Sequence, residues 1–93
     1  MLIRWSPEAA KDLSRIVEYI RQENPAAAQR IAKTIYERAG ALESLPYLGR
    51  AGRVEGTREL PLPSLPFLVV YRVLEHAVEI VNVIHGAQRW PPP

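Results

Sequence analysis

The residues best equipped to meet an anion lie in the second half of the chain: Arg50, Arg53, Arg58, Arg72 and Arg89, with no Asp or Glu after Glu79. Guanidinium groups bind phosphates and carboxylates through paired N–H donors, so the placement of these cations matters more than the formal net charge of +2. Arg50 and Arg53 share a loop with Gly49 and Gly52, which fits an anion-binding loop or a solvated turn that uses glycine for positive φ. Arg58 and Arg72 can bind a partner's phosphate or carboxylate, or simply pair with Glu59 and Glu79. His85 has the chemistry of a proton carrier near neutrality, but a lone histidine at a strand end is more often a hydrogen-bonded structural residue. His76 falls in a turn without a second ligand at metal spacing, so no metal site is expected. Trp90 can anchor a partner or pack back over the core edge, and Trp5 reads as packing.

The rest of the composition narrows the chemistry further. There is no cysteine, which excludes disulfides, thiolate metal sites, Fe–S clusters and cysteine nucleophiles. With 93 residues, 47% of them hydrophobic and 24% charged, the chain has globular rather than disordered composition and enough length for one core, so a single domain spanning residues 1–93 is expected. No apolar run is long enough to span a bilayer, and Met1–Pro7 lacks the apolar stretch of a signal peptide. A cytoplasmic location without membrane contact, and no cofactor, are the expectations.

The elements that must position these groups follow from periodicity. Leu2–Trp5 reads as a strand that ends at Ser6-Pro7. Ser6 suits an N-cap, Pro7 the first helical position and Glu8 the positive end of the helix dipole. Ala9, Leu13, Ile16, Val17 and Ile20 then fall on one helical stripe. Asn24-Pro25 repeats the start signal for a second helix, whose stripe runs from Ala28 through Ile35 and Leu42 to Leu45 before Pro46. Tyr47–Arg53 reads as a loop and Val54–Leu60 as a strand. Pro61, Pro63 and Pro66 interrupt the pattern, because proline cannot donate to a ladder. Phe67–Leu74 and Val78–Ile84, rich in β-branched and aromatic residues, read as strands joined by a turn at Glu75–Ala77, and the tail 86–93 reads as extended. The expected fold is α+β, in the order β-α-α-β-β-β, with the helical hairpin on one face of a mostly antiparallel sheet and the arginine-bearing face left open.

In this order, Ser6-Pro7-Glu8-Ala9, Asn24-Pro25-Ala26-Ala27, Pro46-Tyr47-Leu48-Gly49-Arg50, Gly56-Thr57-Arg58-Glu59-Leu60, Val70-Tyr71-Arg72-Val73 and Val83 to Trp90 together resemble the ParE/RelE superfamily of type II toxins. The resemblance implies a cytoplasmic toxin silenced by a ParD-like or RelB-like antitoxin, with promoter DNA reached only through that antitoxin. It implies one of two targets. A RelE-like member cleaves mRNA on the ribosome, and here Arg58 and Arg72 would clamp phosphate while His85 served as acid or base. However, no tyrosine follows Tyr71, and Leu68 stands where some RelE-like relatives carry arginine. A ParE-like member poisons DNA gyrase by protein contact, and Ile84-His85 followed by a polar stretch looks like the corresponding segment. Arg50, Arg53, Arg58, Arg72, Arg89 and Trp90 are then the candidate target-binding residues. A third reading is a degenerate toxin kept as an antitoxin-bound co-repressor.

Overall fold

The computed structural model describes residues 1–93. β1 (Leu2–Trp5) leads into α1 (Pro7–Arg21) and α2 (Pro25–Gly40), and a 3-10 turn over Ala41–Glu43 is followed by β2 (Arg50–Ala51), β3 (Arg58–Pro61), β4 (Phe67–Val73) and β5 (Ala77–His85). Both helices start where side-chain caps allow. The Ser6 hydroxyl accepts the Ala9 N–H at 3.0 Å and the Asn24 side-chain oxygen accepts the Ala27 N–H at 3.1 Å, each with proline next in sequence. α2 is shorter than its apolar stripe. Past Gly40 the chain tightens into the 3-10 turn, which still buries Leu42 but leaves Leu45 exposed.

The five strands form one sheet in the order β1-β5-β4-β3-β2. β1 runs parallel to β5, and every other pair is antiparallel. The α-helical hairpin carries the chain from β1 at one edge of the sheet to β2 at the other, and the antiparallel run of β2 to β5 then returns the last strand to the side of the first. Two details depart from the sequence expectation. Residues 54–57 are a turn rather than the start of a strand, because Gly56 takes φ +82° and the Thr57 hydroxyl and N–H both donate to the Val54 carbonyl. Within the expected loop, Arg50–Ala51 pairs with β3 as a short edge strand.

The helices and the 3-10 turn bury Ala9, Ile35, Ala39 and Leu42 against Leu60, Val69, Tyr71, Val78, Ile80 and Val83 of the sheet. The other face is not open as expected. Leu68, Val70 and Ile84 make a second apolar cluster there, with Val81 and Trp90 packed against it. The tail does not run straight out: it turns at Gly86–Ala87, where the Gly86 N–H donates to the Pro66 carbonyl at 2.6 Å, and brings Trp90 onto that face.

α1 is locked to the sheet at an irregularity. Val70 pairs with Asn82 and Tyr71 with Ile80, which leaves Val81 as an extra residue on β5. The polar groups this disturbs are met by α1 and its cap. The Ser6 hydroxyl donates to the Val81 carbonyl at 2.9 Å, and the buried Asp12 carboxylate accepts the Val83 N–H and the Asn82 side-chain N–H, both at 2.9 Å. Replacing Asp12 with Ala strands a buried amide and should cost about 2–3 kcal/mol in urea unfolding. Its other partner Arg15 is exposed, and Arg15→Ala should cost under about 0.5 kcal/mol; equal losses for the two variants would show that the bulge does not depend on Asp12.

Candidate functional site

The arginines of the 46–53 segment are positioned from two sides. From the helix side, the buried Tyr71 hydroxyl accepts the Gly49 N–H and donates to the Pro46 carbonyl, both at 2.8 Å. Arg58, opposite Tyr71 in the ladder, donates from Nε to the Gly49 carbonyl at 3.0 Å and from Nη2 to the Tyr47 carbonyl at 3.3 Å. Its guanidinium carbon stands 5.2 Å from the centre of the Tyr47 ring, within the range of a cation–π contact. Gly49 is required by space: a Cβ would lie 2.8 Å from both the Glu59 carbonyl oxygen and the Tyr71 ring.

From the second face, Glu59 supplies a buried anion. It is 1% exposed and lies opposite Arg50 on one side and Val70 on the other. Its carboxylate accepts the Arg53 N–H at 2.9 Å and Arg53 Nε and Nη2 at 3.2 Å, with Arg50 Nη2 at 3.6 Å. Burial pushes this carboxyl up, but the hydrogen bonds and charge of Arg53, with the charge of Arg50, outweigh burial and hold it below the usual carboxylate range. Two cations share one anion. The β2 edge therefore keeps a net positive charge, with the Arg50 side chain 61% and that of Arg53 39% exposed.

The remaining candidates lie elsewhere. Arg72 follows Tyr71, so the alternation of side chains sends it to the second face, where it is exposed opposite Glu79. His85 pairs with Phe67 at the far end of the same strands, about 17 Å from Arg72 for five residues of strand. Its ring meets Phe67 edge-on at 5.7 Å, and its Nδ1 accepts the Ala87 N–H at 3.0 Å. With Arg15, Ile16, Tyr19, Ile20 and Phe67 it lines an almost wholly apolar groove of ≈ 270 Å³ beside α1. Arg89 is exposed in the tail, and Trp90 packs on the second apolar cluster with its indole nitrogen enclosed and unbonded. The structure thus gathers Arg50 and Arg53 around Glu59 and keeps Arg58, Arg72 and His85 apart. Glu59 was visible in the sequence only as a general partner for arginines. The roles of Tyr71 and Asp12 carry no local signal in the chain.

This arrangement of a helical hairpin on a five-stranded mixed sheet is that of the ParE/RelE toxins of type II toxin-antitoxin systems. A chain of the chromosomal ParDE TA system from P. aeruginosa is similar at a TM-score of 0.84 with 27% identity, over 91% of this chain and 95% of that one. The toxin-antitoxin complex RelBE2 from Mycobacterium tuberculosis gives 0.62 with 26% identity, over 90% and 95%. Among curated proteins, Y4kP of Sinorhizobium fredii is 40% identical over 89 residues, covering 96% of this chain and 92% of its own length. Toxin RelE2 of Caulobacter vibrioides is 36% identical over 84 residues, covering 90% and 93%. The family described as ParE toxin of type II toxin-antitoxin system, parDE, matches residues 3–90, and the chain belongs to it.

Two measurements check how the arginine segment is held. Tyr71→Phe should destabilise the fold by about 1–3 kcal/mol, since it leaves the buried Gly49 N–H without its acceptor, and should speed exchange of that amide; an unchanged urea midpoint would refute this role. The stability supplied by Glu59 should be complete above the unfolded carboxylate pKa and drain as pH falls through its lower folded value. In Glu59→Gln that part of the pH dependence should vanish, and parallel curves for the two proteins would contradict the assignment.

Proposed function

We propose that the chain is a ParE-like toxin that inhibits DNA gyrase by protein contact and is neutralised by a cognate ParD-like antitoxin. The observation that carries the reading is the separation of Arg58, Arg72 and His85. Cleavage of a ribose-phosphate bond needs a phosphate clamp and a proton carrier within hydrogen-bond reach of one substrate. Here Arg58 is engaged with two backbone carbonyls, Arg72 lies on the opposite face and His85 at the far end of the strands. Contact with a protein target makes no such demand.

Arg50 and Arg53 are the contact residues best prepared for an acidic surface of the target, since Glu59 holds their guanidinium groups in place before binding. Arg72, Arg89 and Trp90 would extend the contact along the second face. The groove lined by Ile16, Tyr19, Ile20 and Phe67 has the apolar character that receives one side of an amphipathic antitoxin helix, and the basic toxin favours an acidic partner. Promoter DNA would be contacted only by that antitoxin.

Purified toxin added to gyrase should abolish supercoiling and trap cleaved DNA, and the replacement of Arg50 and Arg53 together by Ala should weaken the inhibition by about tenfold or more. Gyrase left fully active by excess toxin would remove the assignment. In a translation reaction the mRNA should stay intact; codon-phased cuts lost on His85→Ala would instead establish a ribosome-dependent nuclease.

A further inference from the structure

The segment that presents Arg50 and Arg53 begins with side chains of the opposite kind. Of the eight large apolar side chains left exposed on the molecule, three stand within four residues: Leu45 at 56%, Tyr47 at 66% and Leu48 at 43%. With Ser44 and Pro46 they line a hollow of ≈ 390 Å³. Single exposed apolar residues are ordinary on a protein surface, but a contiguous group marks a contact site. The backbone is not free to turn these side chains inward. The Leu45 N–H donates to the Ala41 carbonyl and the Leu48 N–H to the Leu45 carbonyl, both at 3.1 Å, while the Pro46 carbonyl is taken by the Tyr71 hydroxyl and the Tyr47 carbonyl by Arg58.

Tyr47 is the best prepared of the three. The Arg58 guanidinium lies against its ring and bonds its carbonyl, so the phenol is placed before any partner arrives, and its two torsions hold little entropy to lose on binding. Gly49, two residues on, is clamped by the Tyr71 hydroxyl at its N–H and by Arg58 at its carbonyl. The spacing of Tyr47 from Arg50 along the edge is thereby fixed. Three residues separate them, at most about 11 Å between Cα atoms, well within the roughly 800 Å² that one partner gives to a standard interface. An apolar ring beside a positive edge is complementary to an apolar pocket rimmed by carboxylates. A second copy of the chain does not supply this, since patch against patch about a two-fold axis would bring two positive β2 edges together. The groove beside α1, assigned above to the antitoxin, shares no residue with the patch.

We propose that Tyr47, flanked by Leu45 and Leu48, is the apolar anchor of the toxin on its target, entering a pocket of the gyrase surface whose rim carries the carboxylates met by Arg50 and Arg53. This deepens the gyrase reading given above and rests on it. Arg58 is then a positioning residue that holds the ring in place for the contact. The two kinds of group act at different stages. Charge at Arg50 and Arg53 speeds encounter and is screened by salt, whereas burial of the tyrosine ring slows dissociation and is not.

The probe is purified gyrase, with inhibition of supercoiling titrated at low and at high salt. Tyr47→Ala should raise the toxin concentration for half inhibition by about tenfold or more at both, with a urea midpoint near that of the wild type, and Tyr47→Phe should recover most of the loss. The penalty of Arg50→Ala combined with Arg53→Ala should instead shrink as salt rises. Tyr47→Ala as potent as the wild type overturns the anchor while inhibition of gyrase stands, and so does a loss that fades with salt as the arginine loss does. If Tyr47→Ala does not fold, Leu45→Glu carries the same test: a tenfold loss supports the anchor and wild-type potency overturns it. A free toxin that sediments as a dimer and becomes a monomer on Tyr47→Ala overturns it in favour of a second copy. Antitoxin binding weakened as much as inhibition overturns it in favour of the antitoxin. Gyrase left active by excess wild-type toxin removes the target reading and this inference with it.

Discussion

One phenol fixes the layout of the molecule's cations. The Tyr71 hydroxyl, buried on the helix side of β4, bridges the Gly49 N–H and the Pro46 carbonyl, and so pins the segment that carries Arg50 and Arg53 to the centre of the sheet. Because Arg58 lies opposite Tyr71, its guanidinium is drawn into the same segment, onto the carbonyls of Tyr47 and Gly49. Because Arg72 is the next residue along a pleated strand, it must face the other way. Two arginines that stand near each other in the ladder are thus divided between opposite faces.

That division, with the buried carboxylate of Glu59, separates arginines that build the structure from arginines free to meet a partner. Arg58 is spent on backbone carbonyls and an aromatic ring. Arg50 and Arg53 are paired but exposed, held by an anion that solvent does not reach. A buried carboxylate with a single cation would present a neutral edge. With two cations it presents a positive one in a fixed geometry, the condition under which a charged surface gains specificity and association rate. The membership of the chain in the ParE toxin family agrees with a device of this kind.

Much of the fold was legible because it is locally encoded. Ser6-Pro7-Glu8 and Asn24-Pro25 carry their own caps and φ restraints, so both helix starts are where the sequence places them. β2 was not legible, since two residues have no periodicity and their pairing depends on the space cleared at Gly49 beneath Tyr71 and on the charge of Glu59 across the ladder. Val54 has strand propensity, but the local closure by Gly56 and the Thr57 hydroxyl overrides it. The covered second face had a signal that period-two reasoning passed over: Phe67 to Tyr71 is an unbroken apolar run, the mark of a strand buried on both sides. The alternation that parts Arg58 from Arg72 needs the register with Tyr71, which no local spacing contains. No helix is long and apolar enough to cross a membrane.

If the toxin works by contact, as proposed, His85 is a structural residue and its loss leaves toxicity intact. Plasmid superhelicity in cells expressing the chain without its antitoxin tests this most directly. Relaxed and broken plasmid DNA, produced equally by the wild type and by His85→Ala, is the predicted result. Plasmid that stays fully supercoiled in growth-arrested cells, with arrest abolished by His85→Ala, would contradict it.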